Sequence, residues 1–286
     1  MNHLIKDNGL EVTISSLGAE LQSIKDNDLN YEYLWQGNTE FWSGRAPILF
    51  PIVGGLKNKE YLYNGQKYTM PNHGIIRTNE FTSTKLSDKE IQFTFVANDE
   101  TKKMYPFTFK MDVFYRIENH KIYISHCITN MSLEVMPFVF GLHPAFNLND
   151  KLENSYIELE DELLISTIDT EDGFIISKEK NHGKKNLVFD ANTFDQNNTI
   201  IFDNLISRQA VLRFQNSPRT VTMNWNDDLP LLAIWSKSGS SYVCIEPWCG
   251  WADNKEDTIN ELSTKKGMVL LASQQVKEYN YTIDVA

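Results

Sequence analysis

The sequence is short of several things, and each shortage removes a class of explanation. It has three cysteines, Cys127, Cys244 and Cys249, an odd number with no zinc-site spacing. Reduced thiols in a cytosolic protein are expected, and a disulfide framework is not. Apolar runs are short: the longest, at 135–142 and 229–235, contain prolines and fall well below the ~20 residues of a membrane-spanning helix. Residues 1–12 mix charge, Asn and Gly where an export signal needs an apolar stretch, so a cytoplasmic location is expected. Positive charge is scarce too. The 27 Lys and Arg face 38 Asp and Glu, for a formal net charge of −11. A field of that sign repels nucleic acid and anionic lipid, so neither is an expected partner.

Further absences concern organisation and chemistry. No long stretch keeps a 3.6-residue apolar period, which argues against extended amphipathic helices. No Pro/Gly/Ser-rich linker and no repeat of roughly 20–50 residues divides the chain, so residues 1–286 read as one domain. A G-x-G-x-x-G loop, a phosphate-binding P-loop and an H-E-x-x-H pair are all missing, as is any run of closely spaced His, Cys and carboxylate ligands. Neither an organic cofactor nor a metal is expected.

What is present is a succession of short strand patterns separated by polar turns. Leu10–Ser15 alternates apolar and polar, and residues 16–18 turn into a second run at 19–24. Runs at 61–63 and 66–70 flank Asn64-Gly65, a dipeptide that supplies the positive φ angles of a two-residue hairpin. Further β-runs fall at 91–97, 107–117, 121–129, 155–159, 210–214, 221–225, 231–235, 242–245, 267–272 and 279–284. The expected class is all-β, a large antiparallel sandwich. Residues 150–198 are polar but hold apolar islands at 163–165 and 174–176, which suits loops and hairpins decorating one sandwich.

Four segments look unlike ordinary strand or turn. Gly44-Arg45-Ala46-Pro47 sets an arginine beside an apolar, proline-broken stretch, where it needs a partner, either a structural ion pair or a ligand. Pro71-Asn72-His73-Gly74-Ile75-Ile76-Arg77 places a histidine just after the hairpin, able to bind a ligand or to satisfy a turn. Gly141-Leu142-His143-Pro144-Ala145-Phe146 holds a histidine in apolar surroundings. Burial there would lower its pKa and a nearby carboxylate would raise it. In Ile245-Glu246-Pro247-Trp248-Cys249-Gly250-Trp251 a carboxylate stands among aromatic rings, a combination typical of sugar sites.

Together these segments resemble the aldose 1-epimerase (galactose mutarotase) family, most closely its LacX-like branch, over nearly the whole chain. The resemblance implies a supersandwich β-fold and an isomerase, monomeric or homodimeric, that interconverts the anomers of an aldohexose. It makes His143 the general acid and Glu246 the general base, with Arg45, His73 and Arg77 contacting substrate. Asp203 is its candidate for the family's hydroxyl-binding aspartate, with Asp227 and Asp228 as alternatives. On this reading the Glu246 carboxylate outweighs burial and keeps His143 protonated near neutrality. Two readings compete. One is a mutarotase for sugar phosphates, with Arg45, Arg77, Lys57 and Lys59 as a phosphate cluster; the other is a noncatalytic sugar-sensing protein on the same fold.

Overall fold

The computed structural model describes residues 1–160, 166–171, 173–181, 185–195, 199–203 and 205–286. Two large antiparallel sheets share one apolar core. The nine-stranded sheet runs through Asn186–Val188, Ser155–Leu159, Gln209–Phe214, Ser217–Trp225, Val276–Val285, Lys121–Asn130, Phe109–Glu118, Glu90–Val96 and Thr82–Lys85. Strict alternation builds it. In Lys121–Asn130 every second residue from Ile122 to Asn130 is buried, so one face meets the core and the other meets solvent.

The eight-stranded sheet runs Phe174–Asn181, Ser166–Glu171, Ile200–Phe202, Leu231–Trp235, Tyr242–Trp248, Gly141–Leu142 and Ile48–Leu49, with Ala145–Asn147 pairing onto Tyr242–Trp248. Its centre does not alternate: every residue of Tyr242–Trp248 is buried. One face of that strand packs into the core, and the other lies beneath a second aromatic cluster of Trp35, Trp42, Trp235 and Tyr242. A four-stranded sheet, Asn2–Asp7, Leu10–Ser15, Leu21–Asp26 and Tyr31–Glu32, completes the large elements. Between the sheets, Phe50 meets Tyr105, Phe109 and Phe138 with ring centroids 5.8, 4.9 and 5.4 Å away.

The all-β expectation holds. Among the described residues one α-helix occurs, Asp99–Met104, stopped and started by a reciprocal Asn98–Thr101 cap. Leu10–Ser15, Ser155–Leu159 and Leu231–Trp235 are strands with the expected bounds. The hairpin pairs Glu60–Tyr63 with Gln66–Thr69 around Asn64 (φ 50°) and Gly65 (φ 74°). The first strand, Asn2–Asp7, escapes a reading based on composition, because only Ile5 and Asp7 of its six residues are buried. Pairing with Leu10–Ser15 across Asn8-Gly9 defines it instead. In the polar region, Ser166–Glu171 and Phe174–Asn181 form a hairpin, and the island at 163–165 lies outside the described residues. No helix among the described residues is long and apolar enough to cross a membrane.

Candidate active site

A cavity of about 360 Å³ opens over the eight-stranded sheet, with His143, Glu246, Trp42, Trp235, Trp248 and His73 on its walls. Glu246 sits on the central strand, flanked by Ala233 of Leu231–Trp235. Period-two alternation places Cys244, Glu246 and Trp248 on one face of that strand. His143 lies in the break between Gly141–Leu142 and Ala145–Asn147. Both short strands pair with the Glu246 strand in one register, Gly141 with Trp248 and Ala145 with Cys244. That register sets His143 opposite Glu246. Pro144 interrupts the ladder at this point, and its carbonyl still accepts the Ile245 N–H at 3.1 Å.

His143 Nε2 and Glu246 Oε2 are 3.4 Å apart, with the two side chains 8% and 1% exposed. The His143 ring stacks on Trp42 at 4.7 Å and 23°, and meets the edges of Trp235 at 5.7 Å and His73 at 5.5 Å. Gly141 makes room for this arrangement. A Cβ there would lie 2.6 Å from Trp248 Cδ1 and 2.7 Å from Val53 Cγ1, inside van der Waals contact.

His73 and Gly74 are consecutive left-handed residues, with φ 64° and 74°. A Cβ on Gly74 would fall 2.1 Å from the Phe50 carbonyl, so only glycine lets the loop close here. The closure fixes the His73 ring: Nδ1 accepts the Gly54 N–H at 3.1 Å, while the His73 N–H donates to the Gly54 carbonyl at 2.9 Å. With Nδ1 an acceptor, the neutral ring carries its proton on Nε2.

Burial governs the protonation states. It drives His73 down to about 4, helped by the Arg77 charge. It holds His143 well below its usual range, seconded by His73 and Arg77 and only weakly opposed by a backbone hydrogen bond. The same burial pushes the Glu246 carboxyl well above the usual carboxylate range, against the Trp248 indole N–H. The expectation that Glu246 would keep His143 cationic is therefore reversed. Both groups lose their hydration, which favours the neutral form of each.

Of the other sequence candidates, Arg77 lies half-buried behind the histidines, its guanidinium facing Glu20 and its charge felt by both rings. Arg45 is committed elsewhere. Its guanidinium bonds Gln22 and the Gln36 carbonyl, its backbone N–H bonds Glu20, and it does not line the cavity. Asp203 is exposed just past Ile200–Phe202 and is likewise not on the wall. Asp227 and Asp228 pair with Arg208 and Lys277 away from it. Lys57 donates its ammonium to the Lys255 carbonyl, and none of Arg45, Arg77, Lys57 and Lys59 lines the cavity.

Sequence reasoning missed Trp42, Trp235, Asn72, Thr199 and Lys237, all on the cavity wall. Trp42 and Trp235 were legible as aromatics beside turns, but only the three-dimensional path brings them over His143. It also missed a spatial ligand set. His143, Cys244 and Glu246 hold a nitrogen, a sulfur and a carboxylate oxygen within 4.8 Å of one another, although the sequence separates His143 from the other two by about a hundred residues. The Cys244 thiol is pushed well up by burial and by Glu246, which keeps it protonated.

Comparison with known proteins supplies the family. The family model for aldose 1-epimerase matches residues 1–284. Protein LacX (chromosomal) of Lactococcus lactis subsp. lactis is 32% identical, covering 98% of each chain. A galactose mutarotase related enzyme from Lactobacillus acidophilus superposes with a TM-score of 0.92 at 30% identity, over 100% of this chain and 97% of the other. A galactose mutarotase-like protein from Lactobacillus casei gives 0.94 at 26% identity over the whole of both chains. The chain belongs to the aldose 1-epimerase family and is an isomerase.

Proposed function

We propose that the protein interconverts the α and β anomers of an aldose, with His143 and Glu246 as the proton-exchanging pair. The observation that carries this reading is their 3.4 Å separation on the cavity wall. Ring opening needs one group to take the C1 hydroxyl proton while another protonates the ring oxygen. Those two oxygens are bonded to the same carbon, so an acid and a base close together on one wall can reach both. After rotation about C1–C2 the roles reverse and the ring closes on the other face.

One proton on the pair is enough. Moving it from Glu246 to His143 leaves a carboxylate to take the hydroxyl proton and an imidazolium to supply the ring oxygen. His73 presents Nε2–H to the sugar and Arg77 adds positive charge behind it. Trp42, Trp235 and Trp248 offer ring faces to sugar C–H bonds. Arg45 and Asp203 have no place in this assignment. Residues 1–286 would act as one catalytic unit, a cytoplasmic monomer or homodimer with a small sugar as its partner.

Polarimetry on freshly dissolved pure anomers tests the reading. Equilibration should be faster with enzyme than without. Saturable sugar binding with no acceleration would instead mark a noncatalytic sugar sensor.

A further inference from the structure

The cavity wall carries one cation whose presence the ring chemistry does not explain. Lys237 lies just past Leu231–Trp235, half-buried on the wall beside Trp235. Among the described residues its ammonium has neither an ion pair nor a hydrogen-bond partner. Lysines next to a core are ordinarily paired or turned fully to water, so an unpaired one facing a ligand cavity needs a reason.

The backbone under it is built with care. The Lys237 carbonyl accepts the Ser240 N–H at 3.0 Å, closing a turn through Gly239 at φ 76°. Beneath the turn, the fully buried Ser236 hydroxyl bonds the Tyr242 carbonyl at 2.7 Å and the Ser240 hydroxyl at 3.0 Å. The position of Lys237 is therefore tied to the strand that carries Glu246, rather than left on a loose loop.

The charge around it is one-sided. Glu246 is the sole carboxylate on the cavity wall among the described residues, and it is buried. Asp203, the carboxylate expected to hold sugar hydroxyls, lies elsewhere. Arg77 adds positive potential from behind the histidines. In a chain of net charge −11, Lys237 is the sole lysine or arginine on this cavity wall among the described residues. Low-dielectric walls focus such a field onto whatever enters.

Resting on the anomer-exchange reading, we infer that the substrate is an aldose bearing an anionic substituent, a phosphate or a carboxylate, which Lys237 binds. A charge-assisted contact of this kind is worth more than a neutral one and discriminates against sugars that lack it. This places the recognition at a residue distinct from Arg45, Lys57 and Lys59, none of which lines the cavity.

Anomer exchange followed by NMR on three sugar classes tests it: neutral hexoses, their 6-phosphates and hexuronates. Wild type should favour one anionic class over the neutral sugar by tenfold or more in kcat/KM. Which class wins identifies the substituent. Lys237→Gln should cut that ratio by tenfold or more through KM, and Lys237→Arg should keep most of it. In wild type the anionic preference should also shrink as salt rises, a readout that needs no variant. Equal kcat/KM for neutral and anionic sugars, or a preference that survives Lys237→Gln, would overturn the inference and leave anomer exchange standing. No exchange of any sugar would instead overturn the underlying reading.

Discussion

His143 and Glu246 occupy facing positions on adjacent strands, fixed by the pairs Gly141–Trp248 and Ala145–Cys244 on either side of them. Facing positions across a ladder hold Cβ atoms roughly 4.5–5.5 Å apart, so the sheet itself sets the distance between the two side chains. Their 3.4 Å approach follows from that spacing.

The first prediction removes one member of the pair. Glu246→Gln keeps the shape of the side chain and abolishes its proton exchange. Anomer equilibration should fall by about 10²–10⁴-fold, the range of a positioned acid–base group, with the β-type circular dichroism spectrum unchanged. Equilibration at the wild-type rate would remove Glu246 from the mechanism.

The pH profile follows from the directions of the two shifts. His143 is depressed and Glu246 raised, directions that favour the neutral pair over the ion pair. The acid limb should mark addition of a second proton, to His143, and lie below the ordinary histidine range. The alkaline limb should mark loss of the only proton, from Glu246, and lie above the ordinary carboxylate range. Both limbs belong to the coupled pair. His143→Asn should lose most activity and the acid limb with it. A narrow bell centred on the usual histidine pKa would show that hydration, not burial, governs the pair.

Folding stability should also depend on pH, through His73 and His126. His126 is fully buried on Lys121–Asn130, stacked on Tyr281 at 5.8 Å, and burial holds it down to about 3. His73 is held to about 4. Both lie below the unfolded value near 6.5, so the unfolded chain takes up protons first as pH falls. Each histidine should cost about 1.4 kcal/mol per pH unit below 6.5, until its folded pKa is reached. Urea midpoints at pH 7.5 and 5 measure this. A midpoint that does not drop between them would contradict the neutral burial of these rings.

A fourth prediction concerns space. Gly141→Ala puts a methyl against Trp248 and Val53 at 2.6 and 2.7 Å. Overpacking should destabilise the protein by about 1–3 kcal/mol and shift the indole over Glu246. Lower kcat, with altered tryptophan fluorescence and an intact fold, is expected. Wild-type kcat would mean that the indole position is immaterial.

Activity should survive exhaustive chelation, although His143, Cys244 and Glu246 lie within ligand distance of one another. Catalysis needs the first and last as proton carriers, and a thiol held protonated by burial is a poor metal ligand. A lasting loss restored by one divalent ion would reassign all three residues.

The strands and the pair were legible from sequence for different reasons. Leu231–Trp235 and Leu10–Ser15 carry their own bounds, because β-rich runs end at turn residues. His143 and Glu246 stood out as polar groups in apolar runs, where burial demands a purpose. Asn2–Asp7 was invisible because its definition is a pairing partner, not a composition. Arg45 looked like His143 in isolation. Only the positions of Gln22 and Gln36 show that both terminal nitrogens of its guanidinium already have partners. The sign of the His143 shift depends on how completely the site excludes water, a property of the whole cavity wall and of no single residue.

The strand register that spaces the pair also divides labour within the molecule. His143 and Glu246 hang from neighbouring rungs of a hydrogen-bonded ladder, whereas Lys237, Asn72 and Gly173 stand on the turns at its ends. A change in a turn leaves the rungs in place, so the choice of sugar can drift across relatives while the proton relay stays fixed. A slip of one residue in either segment would swing its reactive group to the opposite side of the sheet, away from the other. The fold thus makes specificity easy to revise and chemistry hard to lose by degrees.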